Sequence, residues 1–345
     1  MQKKQSMNRR KFLLNGLLAT GAILTATHRS IWAEAKPIVM TVNGPIQPEA
    51  MGLALPHEHI MSIFGGPIAR MAEYDEAKLF DTVVPYLKKL KGLGCQTLMD
   101  CTAAYFGRRP DLLKKISDDT GLHILTNTGY YGAAKDRYVP KHAQIETADQ
   151  LAERWIGEWQ TGIDGTDIKP GFIKIGVDGG PLSNTDRKLI QAAARTHRAT
   201  GLTIASHTSG SHEAVQEQLV VLAREGVSAD AWVWVHAQNV EDPGYLVRTA
   251  ATGAWIELDG IREKTLPKHL ECLALLKKKG YLDQVLLSHD GNSFRYGDRP
   301  FKPYEALFTH FIPALKSAGF SPEEIHQLTV ENPRNAFTVR IRALG

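Results

Sequence analysis

Eight residues able to bind metals or move protons fall at or beside short apolar runs: His57, His59, Asp100, Lys174, His207, His236, Asp259 and Asp290. On an extended segment, residues two apart face the same side. His57 and His59 in Pro56-His57-Glu58-His59 can therefore address one cation while Glu58 points away. Four imidazoles with carboxylates suit zinc, and also manganese or cobalt. His-Glu-His alone is a weak signal. The weight comes from His207 and His236, which close Ile204-Ala205-Ser206-His207 and Trp234-Val235-His236. His207 follows Lys174 by 33 residues and His236 follows His207 by 29, one strand-and-helix repeat each.

Lys174 is the sharpest single residue. Phe172-Ile173-Lys174-Ile175 sets an amine among apolar neighbours, where an unpaired ammonium is very costly. A neutral amine there can add carbon dioxide and become N6-carboxylysine, whose two oxygens can bridge two cations. An ion pair with Asp178 or Asp290 is the alternative. Four histidines on the same rim favour the bridge.

The elements that position these groups follow from periodicity. Eight apolar runs read as strands: 53–55, 97–100, 124–128, 172–175, 203–206, 232–235, 255–258 and 285–288. Amphipathic stretches separate them, such as Leu79, Val83, Tyr86, Leu87 and Leu90 on one face, and Asp186 to Thr200 entered through Ser183-Asn184-Thr185. Glycines fall shortly before six of the runs, where helices end. Eight such units with no linker predict an α/β fold, a single (β/α)8 TIM barrel over residues 36–345, with a small N-terminal hairpin in the proline-bearing 36–52 segment. The active site belongs at the C-terminal strand ends. No G-x-G-x-x-G follows the first run and no G-x-x-x-x-G-K-[ST] occurs, so nucleotide binding has no support.

Those runs, Leu53-Ala54-Leu55-Pro56-His57-Glu58-His59, Gly171-Phe172-Ile173-Lys174-Ile175-Gly176, Ser206-His207-Thr208, Val235-His236, Ser288-His289-Asp290 and Glu331-Asn332-Pro333, together resemble the phosphotriesterase family of the amidohydrolase superfamily. The resemblance spans about residues 40–340 and implies a binuclear metal centre. Its ligands would be His57, His59 and Asp290 on one divalent ion and His207 and His236 on the other, with carboxylated Lys174 and a hydroxide between. Asp290 would orient the hydroxide and take up its proton.

The resemblance also marks departures. Organophosphate-degrading members carry an aspartate three positions after the strand-6 histidine and a histidine directly after the strand-7 aspartate, where this chain has Asn239 and Gly260. Lactonase members carry an arginine at the latter position; here Arg262 lies two residues on. The expected substrate is a small ester, a lactone ahead of a phosphotriester, with amide or carbamate hydrolysis and a non-catalytic metal-binding barrel as the alternatives. Tyr130 and Tyr131 are candidates to line the pocket. Arg262, Arg295, Arg299 and Lys302 are candidates to hold an anionic group.

Composition agrees with an ordinary globular chain: 345 residues, 43% hydrophobic and 23% charged. The net charge of +4 arises from residues 1–35, which hold six basic residues and one acid, leaving 35 basic against 36 acidic residues and no footprint for nucleic acid. Three cysteines cannot form a disulfide framework. Asn8-Arg9-Arg10-Lys11-Phe12-Leu13-Leu14, an apolar stretch to Thr27 and Ala33-Glu34-Ala35 resemble a twin-arginine export signal over 1–35. That stretch falls short of the ~20 apolar residues of a spanning helix. A periplasmic protein, handled by the twin-arginine translocase during export and not a stable membrane protein, is expected, with a homodimer as its assembly.

Overall fold

The first strands form a short antiparallel hairpin, β1 (Val39–Thr41) and β2 (Gly44–Ile46), as the proline-bearing segment predicts. The computed structural model describes residues 36–297 and 299–344, so the export signal with Arg9 and Arg10 lies outside the described residues. Ten parallel strands follow: β3 (Ala54–Ser62), β4 (Thr97–Asp100), β5 (His123–Leu125), β6 (Asn127–Thr128), β7 (Phe172–Val177), β8 (Ile204–Thr208), β9 (Trp232–Val235), β10 (Trp255–Leu258), β11 (Val285–Leu287) and β12 (Gly291–Arg295).

They bond in two orders, β12-β3-β4-β5 and β11-β10-β9-β8-β7-β6. β5 and β6 are halves of one strand broken at Thr126, and β11 and β12 are halves of another broken at 288–290. β5 bonds to β4 and β6 to β7; β11 bonds to β10 and β12 to β3. Each broken strand thus carries one sheet into the other, giving eight positions around a ring. The fold is the (β/α)8 barrel expected from the eight apolar runs, each of which starts within one residue of a strand.

Helices wrap the ring through apolar stripes. In the helix Glu76–Gly92, Leu79, Val83, Leu87 and Leu90 are fully buried, each contributing about 1.5–3 kcal/mol relative to exposure. The helix Asn184–Thr200 opens with a reciprocal cap between Ser183 and Asp186 and ends at Gly201, whose φ of 78° is left-handed. A Cβ on Gly201 would meet the Arg340 backbone at 2.8 Å. The three cysteines are buried and free. Among the described residues, no helix is long and apolar enough to cross a membrane.

Two buried carboxylates shape the site end of the ring. Glu58 points away from the histidines and grips the break between β11 and β12. It accepts from Ser288 Oγ (2.8 Å), His289 N (3.1 Å), His289 Nδ1 (2.7 Å) and Gly291 N (2.7 Å). Asp100, which the pattern sends to the mouth, instead accepts from Ile60 N (2.7 Å) and Thr102 N (3.0 Å). It fastens β3 where its register against β4 shifts between Leu55 and Glu58. Burial pushes the Asp100 carboxyl up to about 6.

Candidate metal centre

β3, β7, β8, β9 and the break after β11 bring His57, His59, Lys174, His207, His236 and Asp290 around one cavity of about 130 Å3. Phe64, Phe106, Tyr131, Asn292, Arg295 and Lys302 complete its wall. Phe106 stacks on Tyr131 with ring centroids 5.1 Å apart, so one side of the cavity is aromatic.

Partners behind the rings fix which nitrogen faces the cavity. Thr102 Oγ1 donates to Met61 O (2.8 Å), so it accepts the Nδ1–H of His59 (2.8 Å) and leaves Nε2 bare, 3.3 Å from Asp290 Oδ1. His57 Nδ1 lies 2.6 Å from Glu257 Oε1, and its Nε2 lies 3.8 Å from Asp290 Oδ1. His236 adopts a left-handed φ of 66°. Its backbone N donates to Asp259 Oδ2 (2.9 Å), its Nδ1 to Asp259 Oδ1 (2.7 Å), and its Nε2 meets His207 Nδ1 at 2.7 Å. Asp259 also accepts from Gln238 Nε2 at 2.9 Å. It therefore serves His236 from behind and does not line the main cavity.

Charge states follow the burial. Burial, then the Lys174 charge, holds the His57 ring well below its ordinary value; burial and then His236 do the same for His207. Burial works against a charged His236, yet the Asp259 carboxylate outweighs it and raises that ring. Burial likewise opposes ionisation of Asp290, but the close approach of the His59 ring, then of His57 and His236, holds it far below the carboxylate range. Burial, followed by Asp259, pushes Glu257 upward.

Lys174 decides whether metal ions fit. The residue is 1% exposed and Nζ has no hydrogen-bond partner. Asp178, one alternative partner, is engaged by the backbone N–H groups of Ala134 (2.9 Å) and Lys135 (2.8 Å). An orphaned buried amine beside nitrogen lone pairs and one carboxylate is the donor set that two divalent ions with a bridging carbamate would complete. His57, His59 and Asp290 present ligand atoms within 4.8 Å of one another.

A model of the phosphotriesterase family matches residues 37–337. The chain belongs to the phosphotriesterase family. Relatives within and around that family are hydrolases of several kinds. The chain is 29% identical to the phosphotriesterase homology protein of Escherichia coli over 83% of this chain and 98% of that one. It is 27% identical to the N-acetyltaurine hydrolase of Dictyostelium discoideum over 73% and 72%. The organophosphorus hydrolase structure from Deinococcus radiodurans superposes with a TM-score of 0.77 at 28% identity, covering 88% of this chain and 99% of that one. A structure of organophosphate hydrolysis engineered on a weak promiscuous lactonase template gives 0.78 at 28%, covering 87% and 99%.

Against this phosphotriesterase-family frame, the pocket candidates divide. Tyr131, Arg295 and Lys302 line the cavity. Tyr130 is turned to His142 Nε2 (3.0 Å) and Trp155, outside it. Arg262 donates to His289 O (3.1 Å) and Asp290 O (3.4 Å), bracing the strand ends. Arg299 donates to Phe64 O (2.8 Å) and packs over Gly65. Phe64, Phe106, Asn292, Thr102 and Glu257 are contributors that pattern reading passed over. Only Glu257 carried a signal, a carboxylate inside Trp255-Ile256-Glu257-Leu258.

Proposed function

We propose that this phosphotriesterase-family protein is a metal-dependent hydrolase of carboxylic esters, with small lactones as its best substrates. The observation that carries the reading is the convergence of four imidazoles, Asp290 and the unpartnered Lys174 amine on one cavity. Two divalent ions, zinc ahead of manganese or cobalt, would polarise the ester carbonyl and activate water for attack. His57, His59 and Asp290 would hold one, His207 and His236 the other, with Lys174 as its carbamate between them. Asp290 is the carboxylate in the cavity wall and would orient the attacking water and take its proton. The aromatic face of Phe106 and Tyr131 would seat the ring, while Arg295 and Lys302 would favour an acyl part bearing an anionic group.

Support for a lactone over a phosphotriester comes from the positions of the missing relay. Gly260 has no side chain, and Gln238 already satisfies Asp259 at 2.9 Å. The amide reading draws on the N-acetyltaurine hydrolase relative and is the second reading.

Purified protein loaded with zinc or manganese should be assayed against lactones with and without charged groups, aryl esters, N-acyl amides and paraoxon-like triesters. Lactones should give the highest kcat/KM. A triester or amide preferred by more than ~10-fold, equivalent to ~1.4 kcal/mol in transition-state binding, would overturn the lactone assignment.

A further inference from the structure

The two halves of the centre are braced differently from behind. His236 leans on Asp259, which also accepts the His236 backbone N and Gln238. His57 leans on a different carboxylate, Glu257, one turn of the pleat earlier on β10 and fully buried. The Glu257 Oε1 to His57 Nδ1 distance is 2.6 Å, whereas the nearer approach of Asp259 to that nitrogen is 3.8 Å. Glu257 Oε2 accepts no hydrogen bond. A carboxyl sunk into the barrel interior for packing alone would be among the costliest choices available. Its one satisfied oxygen is spent on a ring whose other nitrogen faces Asp290.

We propose that Glu257 is a positioning residue for one half of the centre: by accepting from His57 Nδ1, it holds the ring proton there and keeps Nε2 free and aimed at the cavity. The inference rests on the metal-centre reading above. An imidazole offers a lone pair from one nitrogen only while the other carries the proton, and the partner behind it decides which. Oε1 can accept whether or not Oε2 is protonated, so the role needs the acceptor and not a particular charge. His59 receives the equivalent service from the Thr102 hydroxyl and His236 from Asp259. The bracing is therefore residue by residue, and loss of Glu257 should weaken the His57, His59 and Asp290 side selectively.

Metal-free wild type, Glu257→Leu and Glu257→Gln should be titrated with zinc against a chelating indicator, and with cobalt followed by its visible spectrum. Wild type should take up two equivalents. Glu257→Leu, which removes the acceptor, should bind one equivalent about 10–100-fold more weakly, with the other unchanged. Glu257→Gln, which keeps an oxygen at the Oε1 position, should restore most of the lost affinity. Nitrogen-15 spectra of histidine-labelled wild type, zinc-loaded, should show the His57 proton on Nδ1; this measurement stands even if Glu257→Leu fails to fold. Equal affinity of both equivalents in wild type and Glu257→Leu, or a His57 Nδ1 without its proton, would overturn the positioning role while leaving the metal centre intact. Wild type that takes up no metal would overturn the metal-centre reading, and the inference with it.

Discussion

Replacing Lys174 with Met should change stability in opposite directions with and without metal. Methionine keeps the unbranched stem and packs in its place, but deletes an amine that is buried and has no partner. An unsatisfied buried polar group costs about 1–3 kcal/mol, so the metal-free variant should be more stable than metal-free wild type by that amount. With metal the sign reverses. Removing a bridging ligand should cost at least the roughly 10–100-fold in affinity seen when a partner behind a ligand is lost, or about 1.4–2.7 kcal/mol of linked stability at saturating metal. At about 2–4 °C per kcal/mol or somewhat less for a domain of this size, both changes are within reach of calorimetry. Scans of chelated and zinc-reloaded proteins, with metal content and carbon-13 spectra after labelled bicarbonate, would measure them. Wild type should show a carbamate signal that the variant lacks. A variant that is destabilised without metal, yet binds metal and turns over substrate like wild type, would refute the reasoning.

Arg295→Ala and Lys302→Ala should each raise KM for carboxylated or phosphorylated lactones by about 10–100-fold, the range of a lost charge-assisted hydrogen bond, and leave neutral lactones unchanged; equal effects on both classes would remove them from substrate recognition. His197 donates from Nδ1 to Leu202 O (2.8 Å) and accepts at Nε2 from Arg342 N (2.9 Å), and burial holds the ring below its ordinary value. The unfolded chain takes up a proton near pH 6.5 that the native ring resists, so this contribution is full above that pH and declines as pH falls through it. Urea midpoints between pH 8 and 5 should show that decline, and His197→Asn should flatten it; an unchanged slope would count against the assignment. Changing Arg9 and Arg10 to Lys should leave precursor in the cytoplasm on cell fractionation, and normal export of that variant would exclude the twin-arginine route.

The barrel was legible because its strands are buried on both faces and read as continuous apolar runs, such as Trp232–Val235 and Trp255–Leu258. β12 was not, since Gly291–Arg295 has no apolar run and is held by backbone pairing to β3 and by Glu58. β3 runs to Ser62, well past its apolar start, because His59 Nδ1 and Ile60 N find buried partners 43 and 40 residues away in sequence. The site divides in the same way. His57, His59, Lys174, His207, His236 and Asp290 stand out as polar residues at strand ends, a local property. The roles of Thr102, Asp100 and Glu257 depend on which distant atom each one meets. Arg262, Arg299 and Arg295 are alike in type and all donate to backbone carbonyls, and only the fold puts Arg295 in the cavity wall and the other two outside it.

The most direct test of the central claim is metal stoichiometry measured beside hydrolysis. Protein purified from zinc- or manganese-supplemented cells should carry two divalent ions per chain, lose lactone hydrolysis on exhaustive chelation, and regain it as the second equivalent is restored. Protein with no bound metal, or full hydrolytic activity after complete chelation, would contradict it.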